Sequence, residues 1–535
     1  MTATHGATHA VTNQPPPLAG HDVAEDVALL SGLEREGAGW YADDLHRLGK
    51  RAGTPEAQLW GAQANENEPK LVTHDRYGHR IDEVEFHPAW HQLMTVAVSE
   101  GLAAPWSGTP GAQVARAAGF YTWSQVEGGH GCPISMTSAV VPALRMQPDL
   151  TAAYEPLLQS RTYDPGLRTP AGKLGLLAGM GMTEKQGGSD VRANTTSAVR
   201  DGETWRLTGH KWFTSAPMCD LFLVLAQAPG GLSCFLVPRV LPDGTRNTFR
   251  IQRLKDKLGN RSNASSEPEF DNTVAWLVGE EGRGVRTIIE MVSMTRLDCV
   301  IGSASLMRQA LAQAIHHAQH RSAFGGLLVD KPAMQNVLAD LALESEAATT
   351  LMLRLAGAVD REETAFKRLA VAVGKYWVTK RCPVFAGEAL ECLGGNGYVE
   401  ESGMPRLYRE APLNSVWEGS GNVNALDVLR AMAREPESVE AFFAEVELAD
   451  DARITAAVSD LAKDLGEADE VSARRLVERL AMTLQASLLV RHAPSEVSDA
   501  YVASRLQGDW GSAFGTLGRD TAFRAIIDRA APRLP

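Results

Sequence analysis

Stretches of helical and strand periodicity follow one another along the chain. From about Asp22 to Arg168 the apolar positions recur at helical spacing, with Pro and Gly breaks between segments. Near Gly175 the texture changes, and as far as about Gly284 the chain is rich in Thr, Val and Gly. Trp205 and Leu207 alternate there with Arg206 and Thr208, and Leu221 to Leu225 is a continuous apolar run of strand length. Asp201-Gly202 and Asp243-Gly244 supply hairpin-like turns. Beyond Gly284 helices return: Leu338, Leu341, Ala348, Met352 and Leu355 line one face of a long helix of the kind that packs into a bundle. A last helical region follows Pro436, acidic from Glu437 to Glu470 and Arg-rich after it. The order predicts an α+β, mainly α protein: an arm over 1–20, a helical domain over 21–174, a β domain over 175–284, a helical bundle over 285–435 and a helical extension over 436–535. Alternating βα units are absent, which argues against a doubly wound nucleotide fold.

Composition adds exclusions. The 535 residues are 44% hydrophobic and 22% charged, enough apolar material for several buried cores. With 52 Lys and Arg against 65 Asp and Glu the net charge is −13, so the chain as a whole is no basic nucleic-acid coat. No apolar run reaches the length of a membrane span, and the first 20 residues hold no Lys, no Arg and no apolar block, so they read as a floppy arm rather than a secretory signal. The six cysteines are scattered without a C-x-x-C pair, as expected of free buried thiols in a reducing cytoplasm.

The usual phosphate loops and the H-E-x-x-H metal motif are missing. His87/His91 and His316/His320 have helical i,i+4 spacing, but no third ligand is nominated, so solvated or helix-capping histidines are favoured over a metal. Met182 to Val191 (MTEKQGGSDV) offers unobstructed backbone N–H groups beside Thr183 and Ser189; it suits a flavin edge or a pyrophosphate, and a plain polar turn equally well. Gly209 to Ser215 places Trp212 and Phe213 beside Thr214 and Ser215, either against a planar ligand or at a hydrophobic strand end. Glu418 lies between Trp417 and Gly419; it is a candidate general base or a helix-capping carboxylate.

In order and spacing these segments resemble the acyl-CoA dehydrogenase family over roughly Gly175 to Ala433. Thr183-Glu184 with Ser189-Asp190, Phe213-Thr214-Ser215, Arg321 with Phe324, Gly394 to Tyr398, and Trp417 to Ser420 stand where that family reads T-E-x-x-x-G-S-D, W-I-T, R-x-x-F-G, G-G-x-G-Y and Y-E-G-T. GMGMTEKQGGSDV, EFHPAWH, PRLYRE and NSVWEGSGN, with the added C-terminal residues, are similar to one branch, the alkylation-response flavoproteins of the AidB type. The resemblance implies the acyl-CoA dehydrogenase fold (N-terminal helical domain, middle β-barrel, C-terminal four-helix bundle) with FAD bound and an extra C-terminal helical domain. It implies that Met182, Thr183, Gly188 and Ser189 contact the flavin and its ribityl chain, and that Phe213, Thr214 and Ser215 lie near its redox edge. Arg321 and Phe324 would serve the FAD of a neighbouring subunit in a homotetramer, with Gly394, Gly395 and Gly397 along the same cofactor. Trp417, Ser420 and Asn422 would complete the near side, and Glu418 would be the base that removes a proton α to a thioester. Trp417 in place of Tyr implies a narrower acyl slot, and Ser293 in place of an Asp implies a changed contact to the CoA pantetheine.

The branch also implies binding of double-stranded DNA. Residues 471–535 hold nine arginines and no lysine against six acids, net +3, leaving −16 over 1–470. Arg474, Arg475, Arg479, Arg491, Arg519 and Arg524, joined by Arg430, are the candidate phosphate contacts. No recognition-helix motif is present, so binding would be led by the DNA backbone. The expected function is that of a cytoplasmic FAD protein of the DNA-alkylation response that protects bound DNA or inactivates alkylating agents, with weak acyl-CoA dehydrogenase activity. A metabolic short- or branched-chain acyl-CoA dehydrogenase and a flavin-dependent oxygenase are the alternatives.

Overall fold

The computed structural model describes residues 8–534. The chain divides into two compact units, Met1–Pro55 with Cys299–Pro535, and Glu56–Asp298.

The Glu56–Asp298 unit begins helical, but a hairpin of β1 (Lys70–His74) and β2 (Arg80–Glu85) interrupts the stretch expected to be all helix. The Asp75 carboxylate makes that turn locally, accepting from the N–H groups of Tyr77 and His79. Helices Ala112–Ser124 and Gly131–Leu144 are buried almost all round, in keeping with their small and apolar residues. Arg116 and Asp298 form a buried bidentate ion pair in this unit, the second arm 2.9 Å long.

Strands follow from Ala178 to Val278. They are β3 (Ala178–Gly181), β4 (Ser197–Asp201), β5 (Thr204–His210), β6 (Thr214–Ser215), β7 (Leu221–Ala228), β8 (Gly231–Pro238), β9 (Arg250–Leu254) and β10 (Ser265–Val278). The pairings β7–β8, β8–β10, β10–β5, β5–β4 and β4–β7 return to their starting strand, so five strands close a barrel and hide their edges. The apolar run Leu221 to Leu225 is buried on both faces of β7, and Trp205 and Leu207 point inward from β5. Beside the strands Glu127 is fully buried and accepts from the N–H groups of Gly129 and His130 and from the Ser262 hydroxyl at 2.7 Å. Burial pushes this carboxyl up, but the His130 side chain and these donors outweigh it and hold it at about 2.

In the other unit, helix Pro332–Asp360 buries Leu338, Leu341, Ala348, Met352 and Leu355, the stripe legible in the sequence. Helix Thr364–Glu391 packs against Pro332–Asp360, Gly421–Arg434, Pro436–Val446 and Ala473–His492, so the C-terminal extension joins the bundle instead of forming a body of its own. Arg505 in that extension is buried and bonds Asp340 at 2.6 Å and Glu344 at 3.0 Å, while Trp510 and the Gly515 N–H donate to the other Asp340 oxygen. Of the stretch expected to be a free arm, residues 1–7 lie outside the described residues. From Asn13 onward it is hydrogen-bonded to residues of the same unit, and Leu18 is buried.

All six cysteines are free and buried. Among the described residues no helix is long and apolar enough to cross a membrane, and no group of His, Cys, Asp or Glu is placed to hold a metal ion. His87 caps helix Pro88–Ser99 through its ring, and His320 bonds the His316 carbonyl.

Because the folded Glu127 carboxyl is held below its ordinary 4.5, its contribution to stability is complete above that value and is lost as pH falls toward 2. The stability difference between the native protein and Glu127→Gln, measured by urea unfolding, should therefore shrink by roughly 2 kcal/mol from pH 6 to pH 3.

Candidate functional site

In the Glu56–Asp298 unit the loop after β3 and the turn between β5 and β6 are fastened together. Lys211 and Glu184 are both fully buried and meet at 2.7 Å, and Lys211 also donates to the Leu225 carbonyl at 2.8 Å. The second Glu184 oxygen accepts from the Thr195 N–H and hydroxyl and from Gln186, and the first also takes the Thr196 N–H. Burial raises this carboxyl, yet the Lys211 ammonium and the threonine donors hold it well below the usual carboxylate range. The Thr183 carbonyl accepts from the Trp212 N–H at 2.8 Å and the Met182 carbonyl from the Asn194 amide at 2.9 Å.

This fastening brings the predicted cofactor residues of the unit onto one patch. Gly188 lies against Thr183, where a Cβ would come within 2.5 Å of the Thr183 hydroxyl oxygen. The Cβ position of Gly181 is 3.4 Å from the Thr214 hydroxyl oxygen. That hydroxyl is buried and has no hydrogen-bond partner among the described residues, an arrangement that costs free energy until an acceptor or donor is supplied. Ser215 lies 3.4 Å from the Ser265 hydroxyl, Ser189 is exposed, and Phe213 presents a ring that is 49% exposed. The Lys255 ammonium sits 3.2 Å from the centre of the Trp212 ring and 4.5 Å from that of Phe213.

The remaining predicted residues lie in the unit of the helical bundle, on three local structures. Arg321 and Phe324 belong to a hairpin of β11 (Ser322–Ala323) and β12 (Gly326–Leu327). Its two tip residues, Phe324 and Gly325, have φ of +50° and +76°, as a tight hairpin of primed type requires. For Phe this is a strained setting, and its ring is 98% exposed. Gly394 and Gly395 begin the turn Gly394–Tyr398, with open space where a Cβ would stand, whereas a Cβ on Gly397 would come within 2.2 Å of the Leu390 carbonyl oxygen.

Glu418 occupies the third structure. It has φ +56° and is followed by Gly419 at φ +99°, so two consecutive residues take left-handed conformations. Lys375, buried in helix Thr364–Glu391, donates to the carbonyls on either side of Glu418: that of Trp417 at 2.9 Å and that of Gly419. The Asn424 amide adds bonds to the Gly419 and Ser420 carbonyls, and the Trp417 indole donates to Asn414 at 3.0 Å. Ser420 and Asn422 fall at the start of helix Gly421–Arg434. Lys211 and Lys375 are not singled out by the sequence, and Glu184 stands there only as a motif position with no partner assigned. A lysine inside the apolar helical run AVAVGKYWVT was the one available signal for Lys375.

The tail arginines are largely engaged. Arg479 bonds Asp464, Arg491 bonds Glu445, Arg524 bonds Asp330 and Asp528, Arg529 bonds Glu346, and Arg533 bonds Glu25, in addition to the buried Arg505. Arg474 donates to the Tyr376 hydroxyl, and Arg430, on helix Gly421–Arg434, lies 3.3 Å from Asp427. Arg475 and Arg519 are exposed, and neither is ion-paired among the described residues.

Three family models match the chain: "Adaptive response protein AidB N-terminal domain" over residues 13–165, "Acyl-CoA dehydrogenase, middle domain" over 179–273 and "Acyl-CoA dehydrogenase, C-terminal domain" over 282–433. The chain is 46% identical to "Putative acyl-CoA dehydrogenase AidB" of Escherichia coli, over 93% of this chain and 94% of that protein. It is 32% identical to "Acyl-CoA dehydrogenase family member 11" of Caenorhabditis elegans, over 76% and 69%. Among solved structures, Caenorhabditis elegans ACDH-11 in complex with C11-CoA matches with a TM-score of 0.85 and 26% identity, covering 99% of this chain and 94% of that one.

Replacing Lys211 by Met would leave the buried Glu184 carboxylate without its counter-charge. The expected cost is about 3–5 kcal/mol in urea unfolding, well above that of the double replacement Lys211→Met with Glu184→Leu.

Proposed function

The chain belongs to the acyl-CoA dehydrogenase family, whose members are FAD-dependent oxidoreductases acting on CH–CH groups, and we propose that it binds FAD, uses Glu418 as a base on an acyl thioester and serves the DNA-alkylation response. The observation that carries the first part is the Thr214 hydroxyl beside the Met182–Ser189 loop, buried and with no hydrogen-bond partner among the described residues. Supplying a partner there is what a flavin ring edge can do, and Gly188 and Ser189 leave backbone and hydroxyl groups open to the rest of the cofactor. Met182, Thr183, Phe213 and Ser215 complete this set. Arg321, Phe324, Gly394, Gly395 and Gly397 would meet the cofactor of a second subunit, and Trp417, Ser420 and Asn422 would stand nearest the base.

Bound flavin supplies a two-electron acceptor for hydride. The work left to the protein is to hold a thioester so that one Cα–H faces a carboxylate and to keep water away. Lys375 fixes the backbone on both sides of Glu418, so the carboxylate is aimed by main-chain geometry as well as by its own rotamer. An acyl-CoA as the substrate class is supported by the C11-CoA bound in the related nematode structure. Assembly as a homotetramer is supported by the fully exposed Phe324 and by Tyr398, Val399 and Val416, large apolar residues on the surface of the same unit.

The alkylation-response role rests on the likeness to the Escherichia coli AidB protein, on the match to the AidB N-terminal domain family and on the +3 tail. Duplex DNA would be met through few phosphates, with Arg475 and Arg519 foremost and Arg474 and Arg430 beside them, because Arg479, Arg491 and Arg524 already hold carboxylates. That same engagement favours a second reading, in which the tail only completes the bundle and the protein is a metabolic short- or branched-chain acyl-CoA dehydrogenase.

An anaerobic titration with isovaleryl-CoA separates the two. Slow or incomplete bleaching of the flavin band, abolished in Glu418→Gln while FAD stays bound, is expected; fast stoichiometric bleaching would establish the metabolic reading. In parallel, the salt dependence of duplex binding should have a shallow slope, reduced by about one for each of Arg475→Glu and Arg519→Glu. Binding indifferent to both substitutions would remove the tail from the interface.

A further inference from the structure

The first residues of the described chain close onto the hairpin that carries Arg321 and Phe324. The Asn13 amide donates to the Ser322 carbonyl at 2.8 Å, and the Asn13 carboxamide oxygen accepts from the Ser322 N–H at 2.8 Å. One side chain thus satisfies both backbone groups of a strand residue, as an added strand would. The Asn13 main-chain carbonyl in turn accepts from the Arg321 guanidinium. Asn13 has φ +57°, a conformation Asn tolerates better than most residues. Behind it Pro15, Pro16 and Pro17 form a stiff extended run, Pro16 accepts from the His316 ring at 2.8 Å, and Leu18 is buried. The Gly20 N–H then bonds the Gly53 carbonyl at 2.7 Å. The segment is therefore anchored on one side of Asn13 and applied to the hairpin at Asn13 itself.

The hairpin needs such support. Its ladder is two residue pairs long, short of what holds a free hairpin together in water, and its tip bears an aromatic residue in a left-handed conformation. Lys331 donates to the Phe324 carbonyl from one side at 3.0 Å, and Asn13 braces Ser322 and Arg321. We propose that Asn13 is a positioning residue, and that the clasp it makes on Arg321 and Ser322 presets the hairpin so that Arg321 and Phe324 hold the FAD of a neighbouring subunit. This rests on the reading above that the hairpin serves that cofactor.

The test compares the full-length FAD-loaded proteins Asn13→Ala, Asn13→Asp, Arg321→Ala, Phe324→Ala and the double variant Asn13→Ala with Arg321→Ala. Two quantities are read: the rate at which FAD is lost on dilution, and hydrogen exchange of the Ser322 amide. Asn13→Ala is expected to speed both by about tenfold, the scale of one or two net hydrogen bonds. Asn13→Asp keeps the acceptor for the Ser322 N–H and should recover part of the protection. The double variant should lose FAD faster than Arg321→Ala by less than the factor that Asn13→Ala alone causes, because Asn13 acts partly through Arg321 and partly through the rest of the hairpin. If Arg321→Ala sheds FAD quickly while Asn13→Ala retains it like the native protein, the clasp is overturned and the hairpin reading stands. If neither Arg321→Ala nor Phe324→Ala alters FAD loss, the hairpin reading itself falls and the role of Asn13 falls with it.

Discussion

A lysine ammonium taken out of water must be met by oxygen, and two such groups shape the loops on which the proposed chemistry depends. Lys211 is met by Glu184 and the Leu225 carbonyl, Lys375 by the carbonyls of Trp417 and Gly419. Dehydrating an ammonium without such partners costs several kcal/mol, so loop conformations that would leave either lysine unmet are excluded from the folded state. Each loop is thereby over-determined. This is the condition under which a residue such as Glu418 persists with a positive φ. The residues proposed to face a ligand can then be those with little else to do, such as Thr214, whose hydroxyl has no partner among the described residues, and Gly188 with no side chain.

The same requirement governs the tail. Guanidinium groups on helices that pack against a bundle find carboxylates there, and most of the tail arginines have done so. Arg505 is the extreme case: wholly buried, it is shared between Asp340 and Glu344 on helix Pro332–Asp360, with Trp510 and Gly515 completing the shell of Asp340. A segment with net charge +3 can accordingly present far fewer free cations than its arginine count. The cations left over decide how many phosphates it could neutralise.

Much of the fold was legible because it is written in local periodicity. The Leu338–Leu355 stripe is one face of a helix, and Leu221 to Leu225 is a buried strand whichever way the sheet is drawn. The small hairpin Lys70–Glu85 escaped notice because two short strands leave little pattern between helices, and the Asp75 turn that makes them is a matter of side-chain hydrogen bonds. The candidate site was legible only as motifs, since Thr183, Gly188, Thr214 and Glu418 stand in segments of known spacing. Its supports were not. Lys211 finds Glu184 from 27 positions away, Lys375 finds its carbonyls at 42 and 44, and Asn13 finds Ser322 at 309. Charge arithmetic over the tail could not show which arginines are already engaged, for the same reason: Asp340, Glu344, Glu346, Glu445 and Asp464 lie outside the segment that was summed.

The claim on which the rest turns is that the patch around Thr214 holds a flavin. It is tested by the amount of flavin released from the natively purified protein on denaturation, followed by titration of the stripped protein with FAD, for the native chain and for Thr214→Val. One FAD per chain is predicted, with Thr214→Val binding it about three- to tenfold more weakly because the isosteric side chain offers no hydroxyl. A folded chain that takes up no flavin, or a Thr214→Val variant that binds it as tightly as the native protein, would contradict the account.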